Sequence, residues 1–195
     1  METTVLIPHG KLHIPCKISE PDYGQIRRVV LGVHGFGGST QDDIQVGIAE
    51  EMTLFHSVSV RFDFPAHGEY PEDSEDFSLA RCMDTLLTVA AYARHRYEDV
   101  EDLCIFASGF GAYVTLLCLQ DLLEMPGKVK LVVQTPSVRM HETLLSMLRM
   151  SRETLWAMHK AVIRAPRPFE VTYRFFEELQ EHIDYEACKH MSSHN

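Results

Sequence analysis

Apolar residues in the first part of the chain form short runs that are typical of β-strands. Residues 2–20 contain two such runs split by His9 and Gly10, which predicts an antiparallel hairpin. The run RRVVLGVHG at 27–35 is almost continuously apolar, as expected of a strand buried on both faces of a parallel sheet. Small and β-branched residues at 57–64 predict a further strand.

Longer segments with helical periodicity separate these runs. STQDDIQVGIAEEMTLF opens with Ser39 or Thr40 as an N-cap candidate and carries acidic residues in its first turn. A second helix is predicted to begin near Ser78, because apolar residues then recur at three- and four-residue spacing. These residues are Leu79, Cys82, Met83, Leu86, Leu87, Ala90 and Ala93. LCIFASGFGAYVTLL at 103–117 combines a strand with a helix, and KVKLVVQTPS predicts a strand from about residue 128. Strand and helix thus alternate at least three times, which predicts an α/β fold with parallel β-α-β units.

The residues after Ser137 have a different pattern. They predict two amphipathic helices, RMHETLLSMLRMSRETLWAMHKAVI and RPFEVTYRFFEELQEHIDYEA, with RAPRP between them because proline interrupts helices. The chain is therefore predicted to divide into a core at 1–138, a helical lid at 139–188 and a polar tail at 189–195. The methionines of the first lid helix fit either ordinary helix packing or an adaptable cover over an apolar site.

Composition narrows the classes of function. A chain of 195 residues can form one domain with a substantial core, and 45% hydrophobic and 24% charged residues are ordinary for a globular protein. The formal net charge of -10 repels phosphate backbones and anionic lipid, so we expect neither nucleic acid nor a membrane as a partner. Five cysteines without metal-like spacing predict reduced thiols, and we expect no bound metal and no cofactor. The N-terminal residues do not have the pattern of a signal peptide, which predicts a cytoplasmic location.

Three glycine-containing motifs each follow a predicted strand. They are HGFGG at 34–38, DFPAHG at 63–68 and ASGFGA at 107–112. With these motifs in this order, the sequence resembles the α/β-hydrolase superfamily, particularly its small serine esterases and peptidase-like members with a helical lid. The resemblance extends to about residue 188. It implies a mostly parallel sheet with an N-terminal antiparallel hairpin and a helical lid, and hydrolysis of a small acyl ester as the activity of the family. At His67, in the second motif, the resemblance implies a turn-ordering residue more than a base.

The resemblance also implies the positions of an active site. The G-x-S-x-G turn of the family presents a nucleophilic serine between a strand and a helix, and Gly109 stands at that position here. The oxyanion-hole N–H groups would belong to Phe36 and Phe110. Ser108 is a poor alternative nucleophile, because a shift by one residue places Phe106 and Phe110 where the turn needs small residues. Glycine adopts the strained angles of this turn freely, so a sequence released from catalysis can be expected to carry it.

The acid and the histidine of the family's triad are expected on loops that follow two further strands, downstream of the lid. No such strand pattern follows the second lid helix, which predicts a chain that lacks the last strands of the family. The late candidates for an acid or a base are Asp184, His182, His190 and His194. Solvated positions at a helix end are the expected role of each.

The predicted lack of the last strands would expose the strand KLVVQT as an apolar edge with unpaired main-chain groups. Either the C-terminal helix folds over this edge, or a second copy of the chain pairs with it and forms a homodimer.

Three functional hypotheses follow. The first is a hydrolase of the serine esterase type, impaired because the nucleophile, acid and histidine are not in place. The second is a non-catalytic pseudo-hydrolase that binds a small apolar or acyl ligand, or a protein partner. The third is an incomplete gene product without a present function.

Overall fold

A computed structural model describes residues 1–70, 74–164 and 167–182. The first half contains β1 (Glu2–His9), β2 (Leu12–Ser19), β3 (Arg28–Val33), α1 (Asp43–Leu54), β4 (Ser57–Phe62), a 3-10 turn (Ser74–Asp76), α2 (Leu79–Arg96), β5 (Asp102–Ser108) and α3 (Gly109–Leu117). The second half contains α4 (Leu119–Glu124), β6 (Lys128–Gln134), α5 (Met140–Leu148), α6 (Arg152–Met158), β7 (Lys160–Ile163), β8 (Phe169–Thr172) and α7 (Tyr173–Glu181). No helix within the described ranges is long and apolar enough to cross a membrane.

The main sheet is mixed, and over the described residues it has six strands in the order β1-β2-β4-β3-β5-β6. β1 and β2 form the predicted antiparallel hairpin, and β2 also runs antiparallel to β4. β4, β3, β5 and β6 are parallel to one another. The prediction of a mostly parallel sheet with an N-terminal antiparallel hairpin is therefore confirmed.

Helices cover both faces of this sheet. A Cβ added at Gly32 of β3 would meet the side chain of Gln45 in α1, whereas one added at Gly111 in α3 would meet Val33 of β3. Adjacent residues of a strand point to opposite faces, so α1 and α3 lie on opposite sides of β3. The almost continuous apolar sequence of this strand follows from its burial on both faces.

The α2 helix begins and packs as the sequence predicts. The Ser78 side chain accepts a hydrogen bond from the N–H of Arg81 and caps the helix. Most of the predicted apolar stripe is buried, and Met83 and Leu87 are partly buried against the core.

The α1 helix begins later than predicted, at Asp43. The Ser39 side chain accepts a hydrogen bond from the N–H of Gln41, and Asp42 accepts one from the N–H of Ser39 at 3.0 Å. The prediction of Ser39 or Thr40 as the N-cap is wrong, because Asp42 precedes the helix and the Ser39 side chain bonds within the loop before it.

The described part of residues 139–182, called the cap below, differs from two continuous helices. After α5 and α6, His159 adopts a left-handed conformation with a φ of 62°. β7 and β8 then pair as an antiparallel hairpin that precedes α7. Alternate residues of this hairpin are buried, which is the period of a strand and the reason the helical prediction is wrong there. The buried residues are Ala161, Ile163, Phe169 and Val171.

β6 lies at one edge of the main sheet. It pairs with β5 from Lys128 to Gln134, and no other strand of the described ranges pairs with it. Its side chains alternate between exposed and half-buried. The predicted edge position of KLVVQT is therefore confirmed, whereas the predicted end of the second lid helix and the polar tail at 189–195 lie outside the described residues.

Candidate functional site

Gly109 is the first residue of α3 and directly follows β5. Its φ is +51°, in the left-handed region that glycine enters freely and other residues enter at a cost. Within 4 Å, a Cβ added at Gly109 would meet only the Cα of Gly35, at 3.9 Å. The chain therefore makes a sharp turn from strand to helix at the position predicted for a nucleophile, with room for a side chain that glycine does not have.

The loop after β3 and the start of α3 pack closely around this turn. A Cβ added at Gly111 would lie 2.3 Å from the carbonyl oxygen of His34 and 2.8 Å from that of Val33. A Cβ added at Gly35 would lie 3.3 Å from the carbonyl oxygen of Ser108 and 3.7 Å from the backbone nitrogen of Phe110. Small residues at these positions bring the backbone of the HGFGG motif against the turn at Gly109.

Ser108 is the last residue of β5 and does not lie on the turn itself. Its backbone is extended, with φ −123° and ψ 142°, and its side chain makes no capping hydrogen bond to α3. It shares the half-buried face of β5 with Cys104 and Phe106, whereas Ala107 is buried on the opposite face. This placement supports the interpretation of Ser108 as a strand residue.

Aromatic side chains fill the space between the core and the cap beside the turn. The rings of Phe36 and Phe110 stack with centroids 4.1 Å apart and planes 11° apart. Phe169 from β8 and Phe175 from α7 lie 6.2 Å and 5.9 Å from the ring of Phe36. Phe77 lies 4.9 Å from Phe169 and 4.7 Å from Phe175. All five rings are buried, and we call them the aromatic cluster.

His34 is a buried, neutral histidine that holds two loops together. Its Nε2 accepts a hydrogen bond from the N–H of Phe64 at 3.0 Å, so its Nδ1 carries the proton and donates to the carbonyl oxygen of Gly35 at 2.7 Å. Burial lowers the pKa of His34 to about 4. Because both ring nitrogens are engaged, His34 orients the loop that carries Phe36.

His67 is also buried and neutral, and it contacts the cap. Its ring stacks on Phe169 with centroids 4.0 Å apart, and its Nδ1 donates to the carbonyl oxygen of Pro65 at 2.9 Å. Its Nε2 is buried without a hydrogen-bond partner among the described residues. Burial, with a smaller contribution from His34, lowers the pKa of His67 to about 3. The contact with Pro65 fits the turn-ordering role expected of His67.

Asp63 connects the loops after β3 and β4. Its Oδ1 accepts a hydrogen bond from the N–H of Thr40 at 2.7 Å, and its Oδ2 accepts one from the N–H of Glu69 at 2.9 Å. Burial raises the pKa of this carboxyl, and the two backbone hydrogen bonds oppose that increase. Both oxygens are thus used to hold the loops that surround the turn.

Of the late candidates, the described residues include His182. It ends α7, where its Nδ1 lies 2.9 Å from the carbonyl oxygen of Glu178 and its own carbonyl accepts a hydrogen bond from the Tyr113 hydroxyl at 3.0 Å. These contacts fit the helix-end role expected of His182. Asp184, His190 and His194 lie outside the described residues.

Sequence reasoning missed two residues that join the cap to the core. Arg167 donates to the Ser39 hydroxyl at 2.6 Å and lies 3.2 Å from a carboxylate oxygen of Asp42. Phe169, two residues later, enters the aromatic cluster and stacks on His67. The alternation of apolar and polar residues in FEVT was the available signal for a strand at this point.

Several clefts in the described part of the chain do not include the turn at Gly109. Four clefts of about 770, 550, 380 and 90 Å³ are lined by residues other than Gly109, Phe36 and Phe110. Aromatic side chains occupy the space beside these three residues instead. An acyl group could bind there only by displacing rings of the aromatic cluster.

Comparisons with known proteins identify the fold. No protein-family model matches the sequence, and no curated protein matches it. A putative hydrolase from Agrobacterium vitis is similar in structure with a TM-score of 0.74 and 17% identity, over 93% of this chain and 72% of that one. Est1E from Butyrivibrio proteoclasticus with bound ferulic acid has a TM-score of 0.73 and 17% identity, over 91% of this chain and 70% of that one.

A third similar structure is the mouse alpha/beta hydrolase domain-containing protein 10, with a TM-score of 0.69 and 11% identity, over 92% of this chain and 70% of that one. At such low identities the comparisons bear on architecture alone, and they agree with the mostly parallel sheet and its helices described above. The chain has the α/β-hydrolase fold.

Proposed function

We propose that this chain is a non-catalytic protein built on the α/β-hydrolase fold. The observation that carries the proposal is Gly109, which has the backbone conformation of a nucleophile turn and no hydroxyl group. Without an Oγ at this position, no acyl-enzyme intermediate forms there.

The nearby histidines support the proposal because neither is suited to act as a general base. A general base must accept a proton near neutral pH, and burial opposes protonation of both His34 and His67. The lone pair of His34 is already used by the N–H of Phe64, and that of His67 is shielded from water.

The backbone N–H groups of Phe36 and Phe110 remain our proposal for an oxyanion hole that the fold keeps. Donors of this kind, with substrate binding, leave a residual acceleration of about 10³ to 10⁴ over water when the triad is missing. Such a rate is far below that of a functional esterase.

Labelling with a fluorophosphonate, which reacts with activated serines, tests the proposal together with hydrolysis of a short-chain nitrophenyl ester. We expect no labelling, and ester hydrolysis far below that of a known serine esterase, which serves as the positive control. Stoichiometric labelling of any serine would overturn the proposal. The Gly109→Ser variant is the informative comparison, because its labelling would mean that an acid and a base are in place and that glycine alone silences the site.

A small apolar or acyl ligand is the second candidate function, and the aromatic cluster is the observation that favours it. Its rings fill an apolar space between the core and the cap, and a ligand of matching chemistry would bind there by displacing one or more of them. Because Est1E binds ferulic acid, an aromatic acid is a reasonable first probe. A ligand at 100 times its Kd stabilises the folded state by about 2.7 kcal/mol, which a thermal melt detects. Unchanged melting with ferulic acid and with a medium-chain fatty acid would remove this candidate.

A further inference from the structure

The side of β6 that faces away from β5 carries main-chain groups at regular spacing. The N–H of Lys128 donates to the carbonyl oxygen of Glu101 at 2.8 Å, so the main-chain N–H and C=O groups of Lys128 point towards β5. The main-chain groups of every second residue after Lys128 point the same way. The residues between them turn their N–H and C=O groups outward. These residues are Val129, Leu131 and Val133. No strand in the described ranges pairs with this side.

The side chains of β6 make this edge apolar and electrically neutral. The side chains of Val129, Leu131 and Val133 lie on the face of the sheet that the helices cover, and they are half-buried against the core. On the opposite face Val132 is 59% exposed. Edge lysines usually repel a second strand, but Lys128 and Lys130 are paired with Glu101 and Asp102 at 2.9 Å and 2.6 Å.

The other edge of the sheet contains a proline, whereas β6 does not. β1 carries Pro8, which has no N–H to donate to an additional strand. β6 contains no proline, and all seven of its residues, Lys128–Gln134, can take part in a ladder. Pairing between copies is therefore favoured at β6 over β1.

We propose that β6 pairs with β6 of a second copy of this chain, antiparallel and centred on Leu131. In this register Leu131 lies opposite Leu131 of the second copy, and Val129 lies opposite Val133. Every outward main-chain group then finds a partner, in about six hydrogen bonds between the strands.

Charge disfavours one neighbouring register. Lys130 lies opposite Val132 of the second copy, and Lys128 lies opposite Gln134. A ladder centred on Lys130 would place that residue opposite its own copy, and like charges directly opposite each other destabilise a strand pair. The contact is isologous, so it closes as a two-fold dimer instead of growing into a fibre.

A matched pair of variants tests the surface and its register. In the proposed dimer, Val132→Lys places the new lysine opposite Lys130 of the second copy. The two-fold symmetry repeats this contact, so two pairs of like charges face each other. Val162→Lys makes the same change on the exposed side of β7, where Val162 is 47% exposed. Size-exclusion chromatography with light scattering, from about 1 to about 100 µM protein, measures the dissociation constant.

We expect the unaltered chain and Val162→Lys to be dimers, and Val132→Lys to have a dissociation constant raised about tenfold or more. Circular dichroism checks that both variants fold. Hydrogen exchange adds a second readout, since the amide of Leu131 should be protected in concentrated samples and should exchange in dilute ones.

Three results would overturn the inference. One is an unaltered chain that is monomeric at the highest concentration, and another is a dimer that Val132→Lys leaves unchanged. The third is protection of the Leu131 amide in a monomer, which would mean that another part of the same chain covers the edge. The inference is independent of the proposed lack of catalysis, so oligomeric state and fluorophosphonate labelling can fail separately.

Discussion

Changing Gly109 and Gly111 separates two reasons for glycine at the turn between β5 and α3. At Gly109 the φ of +51° is unfavourable for other residues, but the space around an added Cβ is open. The left-handed conformation costs a non-glycine residue about 1–2 kcal/mol. Serine also leaves the unfolded chain less conformational freedom than glycine does, and this raises the free energy of unfolding by about 0.4–1 kcal/mol. We therefore expect Gly109→Ser to lower the free energy of unfolding by about 1 kcal/mol.

At Gly111 the lack of space, and not the backbone conformation, opposes a larger residue. An added Cβ would lie 2.3 Å from the carbonyl oxygen of His34 and 2.8 Å from that of Val33. Both are backbone atoms of β3 and the loop after it, so α3 would have to move away from the sheet. Overpacking of this kind costs about 1–3 kcal/mol, and we expect Gly111→Ala to reach the upper end of that range.

Thermal and urea unfolding measure both effects. For a chain of this length 1 kcal/mol changes the Tm by about 2–4 °C, so we expect decreases of about 2–4 °C for Gly109→Ser and about 6–12 °C for Gly111→Ala. Gly47→Ala is the control, because an added Cβ at this half-buried position of α1 would meet nothing within 4 Å. Alanine is the better helix former there and should raise stability by about 0.5–1 kcal/mol. A Tm for Gly109→Ser above that of the unaltered chain, or equal losses at Gly109 and Gly111, would refute the reasoning.

Two further predictions concern the contact between core and cap. Burial lowers the pKa of His34 and His67 from 6.5 to about 4 and about 3, so the unfolded chain binds more protons than the folded chain at mildly acidic pH. The stability from this source is complete above pH 6.5 and is lost as the pH falls towards these values. We expect each histidine to cost about 1.6 kcal/mol between pH 6.5 and pH 5 in urea unfolding, and His67→Phe to remove about half of that dependence. An unchanged pH dependence in this variant would contradict the assignment. Phe169→Ala removes a ring from the aromatic cluster and should cost about 3–5 kcal/mol in the same measurement, whereas Phe55→Ala, at a side chain that is 59% exposed, should cost less than about 0.5 kcal/mol. Equal effects of these two phenylalanine changes would mean that the cap does not depend on the cluster.

The sequence by itself determined the features that depend on neighbours along the chain. The continuous apolar run of β3, the Ser78 cap of α2 and the glycines around position 109 each have a local signature. These patterns were sufficient for the sheet class, the hairpin and the place of the strand-to-helix turn, because hydrophobic periodicity and glycine conformation act within a few residues.

Only the tertiary structure decided which distant residues share a space. Residues 160–163 and 169–172 pair as strands and do not form a helix, because Ile163 and Phe169 are buried against the core, a contact that local propensity does not encode. The low pKa values of His34 and His67 have the same origin, since a ring that is exposed in the unfolded chain becomes buried between loops and cap. Burial depends on contacts between residues far apart in the chain, and for this reason the sequence alone did not show which side chains surround the candidate site.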